Sequence, residues 1–158
     1  MRKVIVNTTP LIALAGIGQL DLLRQLYSEI TIPRAVYHEI ISEPARSLVS
    51  AAEWIKVEKI TGTIRKSSFS SRLHAGEIEV IMLAQETEAD LLIMDDNAAK
   101  KTAKYLGLTV TGTMGVLLRA KKEGLITEVK PLLEGLINDG LYVSPTVQSY
   151  VLEQAGEK

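Results

Sequence analysis

The sequence predicts an α/β fold, a parallel sheet covered by helices on both faces. Three observations lead there. Short apolar or β-branched runs at 4–6, 30–32 and 91–94 alternate with segments of helical periodicity. Each run ends on residues that open a helix: Asn7-Thr-Thr-Pro10, Pro33 and Asp95-Asp-Asn97. Glycines at 107, 112 and 124 punctuate the later joins.

Taken in order, Val4-Ile-Val6 is a buried strand that stops at Asn7. Pro10 has the fixed φ and missing N–H that suit the first position of a helix, and Thr8 or Thr9 is placed to cap it. Helical spacing continues through Leu14, Ile17, Leu20 and Leu23, broken near Gly16 and Gly18, with Asp21 a candidate cap for the second segment. Ile30-Thr-Ile32 is a second strand. Pro33 starts a helix with Val36 and Ile40 on it and Glu39 late in it. Residues 42–52 form a helix entered through Pro44, and alternation over 54–60 marks a third strand. Residues 61–72 are the most polar stretch, holding Arg65, Lys66 and Arg72 and no acidic residue. They predict a solvated loop or a basic loop beside a phosphate site.

From His74 a helix opens with Glu77 and Glu79 in its first turn, where the helix dipole favours carboxylates. The apolar strand 91–94 ends in Asp95 and Asp96. An Ala/Lys-rich helix then runs to a C-terminal Gly107, and 108–111 is the last strand. Helices over 112–123, 129–139 and 144–155 close the chain. One domain, 1–158, is expected, with the helices from about 129 as an appendage. Leu132, Leu133, Leu136, Ile137, Val147, Tyr150, Val151 and Leu152 give those helices more apolar surface than one-sided packing needs, which predicts a homodimer or a docking face.

Composition excludes several classes. Without cysteine there are no disulfides, zinc fingers or thiol nucleophiles. Aromatic residues make up only 4%, which argues against base-stacking platforms, and a net charge of −1 leaves only a local patch to meet a polyanion. No apolar run approaches the ~20 residues that span a bilayer, and nothing resembles a signal peptide, so no membrane is expected and the location expected is cytoplasmic.

In a doubly wound sheet of order 3-2-1-4-5, the first and fourth strands are neighbours at the topological switch point. Asn7 would then face Asp95 and Asp96 across a crevice, with Glu77 at the start of the preceding helix. Acidic oxygens gathered there repel one another unless a cation is present. With no cysteine and two histidines the ligands are oxygens, which suits Mg²⁺ or Mn²⁺. Each residue also has a plain structural role: Asn7 and Thr8 in a turn, Glu77 at a helix start, Asp96 as a cap, Glu39 on a solvated face. His38 and His74 are expected to be structural. Lys100, Lys101 and Lys104 form either a solvated face or a phosphate contact.

The segments VIVNTTPLIALAGIGQLDLL, ITIPRAVYHEI, HAGEIEVIMLA and ADLLIMDDNAAKKTAKYLGLTVTGTMGVLLRAKKEGLI resemble the PIN-domain superfamily. The resemblance is nearest to a prokaryotic PIN-like branch of unknown function and more distant to the VapC-type toxin ribonucleases. It implies a PIN-like three-layer α/β/α fold with the 3-2-1-4-5 sheet and extra C-terminal helices. It also implies an endoribonuclease that uses Mg²⁺ or Mn²⁺, acts on RNA as the toxin of a toxin–antitoxin module, and has an antitoxin protein as a partner. The family's acidic positions fall on Asn7, Glu39, Glu77 and either Asp95 or Asp96. Glu39, Glu77, Asp95 and Asp96 are thus the candidate catalytic carboxylates, and Asn7, Glu77, Asp95 and Asp96 the candidate metal ligands. The Ser/Thr beside the first position corresponds to Thr8, which joins Arg65, Lys66 and Lys100 as candidate substrate contacts. Asn7 is a departure, since nucleases of this superfamily usually have Asp there. An amide oxygen ligates a metal but brings no charge and no base. The alternatives are a PIN-like module that binds RNA or protein without hydrolysis and, less well matched in strand order, a receiver-like phosphoacceptor domain.

Overall fold

A computed structural model describes residues 2–62 and 73–157. Among the described residues, five strands form one parallel sheet in the order β3-β2-β1-β4-β5. They are β1 (Val4–Val6), β2 (Ile30–Pro33), β3 (Ile55–Glu58), β4 (Leu91–Ile93) and β5 (Val110–Thr111). The described helices are α1 (Thr8–Gly16), α2 (Asp21–Tyr27), α3 (Arg34–Glu39), α4 (Ala45–Ala51), α5 (Ala75–Thr87), α6 (Asn97–Tyr105), α7 (Thr113–Lys122), α8 (Lys130–Asn138) and α9 (Pro145–Gln154). This is the three-layer α/β/α arrangement that the alternation of strands and helices predicts. None of the helices is long and apolar enough to cross a membrane among the described residues.

β1 and β4 are buried along their whole length, which is why their sequences show no alternation. They pair in register, Val4 with Leu91 and Val6 with Ile93. The sheet grows from β1 through β2 to β3 on one side and through β4 to β5 on the other. The switch point therefore lies between β1 and β4, with residue 7 and residues 94–96 at its carboxyl edge.

Two helix starts differ from expectation. α1 begins at Thr8, so Asn7 holds the N-cap position without a side-chain capping bond, and Pro10 is the third helical residue rather than the first. This costs nothing, because the first four N–H groups of a helix have no intrahelical partner. Asp21 is the first residue of α2, not its cap, and its carboxylate takes two hydrogen bonds from Arg24, at 2.6 and 2.7 Å. Gly107 does end α6 in the left-handed conformation, at φ +82°, and the Leu108 N–H donates to the Ala103 carbonyl at 3.0 Å.

The C-terminal helices share the core of the sheet. Val129, Leu133, Leu136, Val143 and Val151 are buried in the same cluster as the strands, while Val147 and Tyr150 stay exposed. The chain end is fastened by Glu157. Its carboxylate accepts from Val129 N at 2.7 Å, Lys130 N at 2.9 Å and Lys121 Nζ at 2.9 Å. Burial by itself would raise the Glu157 pKa. The Val129 N–H, the Lys121 ammonium and the Lys130 N–H outweigh it and hold the pKa at about 2. A depressed carboxylate stabilises the fold above its unfolded pKa, and that stability is lost as pH falls through the folded value. Glu157→Gln should therefore cost about 2 kcal/mol at neutral pH. The gap from wild type should close between pH 4.5 and about 2. Thermal melts across that range check this, and a gap independent of pH would contradict it.

Candidate active site

The carboxyl edge of β1 sets the first group. The Asn7 N–H donates to the Ile93 carbonyl at 2.9 Å, continuing the β1–β4 ladder by one step and fixing the residue at the sheet edge. Its side chain is carried into a site that is only 5% exposed, where Oδ1 has no hydrogen-bond partner among the described residues. An unsatisfied buried amide oxygen costs roughly 1–3 kcal/mol. Neither the strand nor α1 requires that cost.

Glu39, the last residue of α3, reaches across to two helix starts. Its Oε1 accepts from Thr8 Oγ1 at 2.5 Å and its Oε2 from Gly76 N at 3.1 Å, so one carboxylate joins the first turns of α1 and α5. α5 returns the contact, since Glu79 Oε1 accepts from Ala35 N at 3.2 Å. That bond caps α3, whose N-cap is Pro33 and has no side-chain acceptor. Gly76 is needed for the closeness. A Cβ there would overlap the Glu39 carboxylate, with Oε2 at 2.8 Å. Gly76→Ala should therefore destabilise by about 1–2 kcal/mol in urea unfolding. In a Glu39→Ala background the same change should turn neutral or stabilising, because alanine is the better helix former. Equal losses in both backgrounds would refute the clash.

Glu77 is buried at 7% exposure, and its Oε1 accepts from His74 N at 2.9 Å, closing the start of α5. Burial raises its pKa, the His74 N–H opposes this, and the negative charges of Asp96 and Glu39 raise it further. Glu77 is thus a partly desolvated carboxylate that feels two others.

The adjacent aspartates part company. Asp95 Oδ1 accepts from Thr113 N at 2.8 Å and Oδ2 from Thr113 Oγ1 at 2.6 Å. It supplies the cap that α7 cannot obtain from Gly112 at its N-cap position. Asp96 Oδ2 caps α6 through Ala99 N at 2.9 Å, leaving Oδ1 without a hydrogen bond among the described residues, and its charge bears on Glu77. Lys100 Nζ and Asp95 Oδ1 share the space above Gly112, at 2.9 and 2.7 Å from where a Cβ would sit.

Five of the candidates are therefore linked along one edge: Asn7 to its neighbour Thr8, Thr8 to Glu39, Glu39 to Gly76 beside Glu77, and Glu77 to Asp96. Asp95 and Lys100 lie beside this row, on the α7 side. Arg65 and Lys66 fall outside the described residues. His38 is exposed, with its ring edge-on to Tyr37 at 6.0 Å, and has no part in the site. Sequence reasoning missed Gly76 and Thr113, and it placed Glu79 in the first turn of its helix, whereas α5 starts at Ala75 and Glu79 is its fifth residue. The signal for Thr113 was a helix that starts on glycine and so lacks a cap of its own.

No group of three or more histidine or acidic side chains among the described residues is arranged to hold a metal. The donors nevertheless suit an oxygen-bound divalent cation. The orphaned Asn7 Oδ1 is a neutral oxygen donor, and Glu77 is a carboxylate whose ionisation the surrounding negative charge opposes. Mg²⁺ needs only one or two protein carboxylates when water and substrate phosphates complete its shell. An α/β domain with an oxygen-only cluster at its switch point is the class these features define. A family model described as a PIN domain matches residues 3–157, and the chain belongs to that family. Its fold is of nuclease type, and PIN domains generally use divalent metals. Among curated proteins, none matches the chain.

Proposed function

We propose that the chain is a metal-dependent endoribonuclease of PIN type, the toxin of a toxin–antitoxin pair, which hydrolyses RNA phosphodiesters with Mg²⁺ or Mn²⁺. The observation that supports the nuclease activity is that a buried Asn7 Oδ1 without a partner and a Glu77 carboxyl, its pKa raised by burial and by neighbouring acids, belong to one edge of the sheet. Asn7, Glu77 and Asp96 would hold the cation. When bound, a divalent cation acidifies a water and offsets the charge that develops on phosphoryl oxygens. The protein's own part is positioning. Glu39 pins the starts of α1 and α5 so that Asn7 and Glu77 keep their places, and Asp95 pins α7. Lys100, with its ammonium beside Asp95, would steady the phosphate, and Thr8 would meet the substrate at the α1 start once released from Glu39. The toxin role and its antitoxin partner rest on the resemblance. A homodimer would have Val147 and Tyr150 as its remaining exposed apolar face on α9.

One observation favours the non-catalytic alternative, an RNA- or protein-binding module. Asn7 lacks charge, and both Glu39 oxygens are already taken by protein donors. The test is cleavage of a single-stranded RNA with Mn²⁺ and with chelator. A nuclease cuts only with metal and loses cleavage in Glu77→Gln, whereas a binding module cuts in neither condition.

A further inference from the structure

A cavity of about 340 Å³ lies on the α7 side of the site, between α6, α7 and the start of α9. Asp95 lines it, so it opens onto the same edge as the acidic row. Its other walls include Asn97, Lys100, Met114, Tyr142 and Val147. Tyr142, in the link between α8 and α9, is 84% exposed, and Val147 is 42% exposed. The walls are mixed, with Leu141 and Val143 beside the polar groups, and the exposed Tyr142 ring is apolar surface left open to a flat partner.

The second observation is a polar stripe that carries three ammonium groups. Asn97, Lys100, Lys101 and Lys104 recur at the spacing of one helical face of α6, while Ala99 and Ala103 are buried on the other. The stripe starts at the cavity and runs away from the acidic row. Asp95, the carboxylate in the cavity wall, already has both oxygens engaged by Thr113. A line of ammonium groups leading to an exposed ring is the combination with which proteins hold single-stranded nucleic acid, cations on phosphates and rings on bases. The chain's few aromatics argued against a broad stacking platform, but one ring suffices for one base.

We propose that this cavity is a nucleobase subsite, in which Tyr142 stacks on one base of a single-stranded RNA whose phosphates follow Lys100, Lys101 and Lys104. It rests on the assignment of RNA as substrate and places a nucleotide flanking the scissile phosphate against Tyr142. Lys101 and Lys104 stand farther along α6 from Asp96 than Lys100 does, so their phosphate contacts and the Tyr142 stack do not need the metal.

The probe is a fluorescein-labelled single-stranded oligoribonucleotide of about eight nucleotides. Its anisotropy is followed at low salt in chelator, where cutting is off, alongside light scattering of the protein alone. Tyr142→Ala should weaken binding about tenfold, within the range for loss of one base stack. Tyr142→Phe, which keeps the ring, should bind within about twofold of wild type. Wild-type binding that Tyr142→Ala leaves unchanged would overturn the subsite and leave the RNA assignment standing. Absence of binding by the wild type would overturn both. A Tyr142→Ala variant that changes oligomeric state but not RNA affinity would assign the surface to contact between copies of the chain, and so overturn the subsite as well.

Discussion

Asn7→Asp is expected to lower the stability of the metal-free protein by about 3 kcal/mol, near the upper end for a single substitution. The new carboxylate would stand in a site only 5% exposed, at the edge that carries Glu77. Glu77 is already raised by burial and by the charges of Asp96 and Glu39. A carboxyl with a raised folded pKa costs stability once ionised. That cost vanishes as pH falls through the raised value toward the unfolded one. The Asn7→Asp deficit should therefore shrink in acid. Millimolar Mn²⁺ should also remove it, since a bound cation stabilises the state that binds it, and RNA cleavage should rise above wild type. Melting curves with and without Mn²⁺, at neutral and acid pH, read all three effects. A metal-free variant that melts like the wild type would mean that residue 7 does not face the acidic row.

The second large effect separates the two aspartates. Asp96→Asn should leave stability within about 0.5 kcal/mol, because Asn caps a helix as well as Asp. It should nevertheless cut RNA cleavage at least about a hundredfold, the scale on which removing a charged group from a preorganised site acts. Asp95→Asn should do the reverse in kind. Its Oδ1 still accepts from Thr113 N, but the new NH₂ donates to Thr113 Oγ1 in place of a charge-assisted bond from that hydroxyl, which weakens the α7 cap by about 1 kcal/mol. Any loss of cleavage should follow that loosening and be milder. Paired urea unfolding and cleavage rates decide between them. Destabilisation by Asp96→Asn with full activity would exchange the two roles.

Much of the fold was legible because the inner strands β1, β2 and β4 are short, largely apolar runs and the helix after each announces its start. The order of elements and the meeting of Asn7 with the end of β4 follow from that pattern and from the winding rule. What stayed hidden depends on partners far apart in sequence. Nothing local distinguishes Asp95 from Asp96. The difference is made by Thr113, eighteen positions beyond Asp95. Glu39 looked like a free carboxylate late in a helix, yet Thr8 and Gly76 take both of its oxygens. The exchange of caps between α3 and α5 through Glu39 and Glu79 is likewise tertiary. In the C-terminal helices, counting apolar residues overstated the open face, because α8 turns Leu133 and Leu136 into the main core.

The central claim is that Asn7, Glu77 and Asp96 form a divalent-metal site that serves RNA cleavage. Calorimetric titration of Mn²⁺ into the metal-free protein tests it most directly, run on wild type, Asn7→Asp, Glu77→Gln and Asp96→Asn with cleavage measured on the same samples. The prediction is one saturable binding event in the wild type, tighter in Asn7→Asp and lost in Glu77→Gln and Asp96→Asn, with cleavage following the same order. Heats indistinguishable from buffer in the wild type and in Asn7→Asp would contradict it.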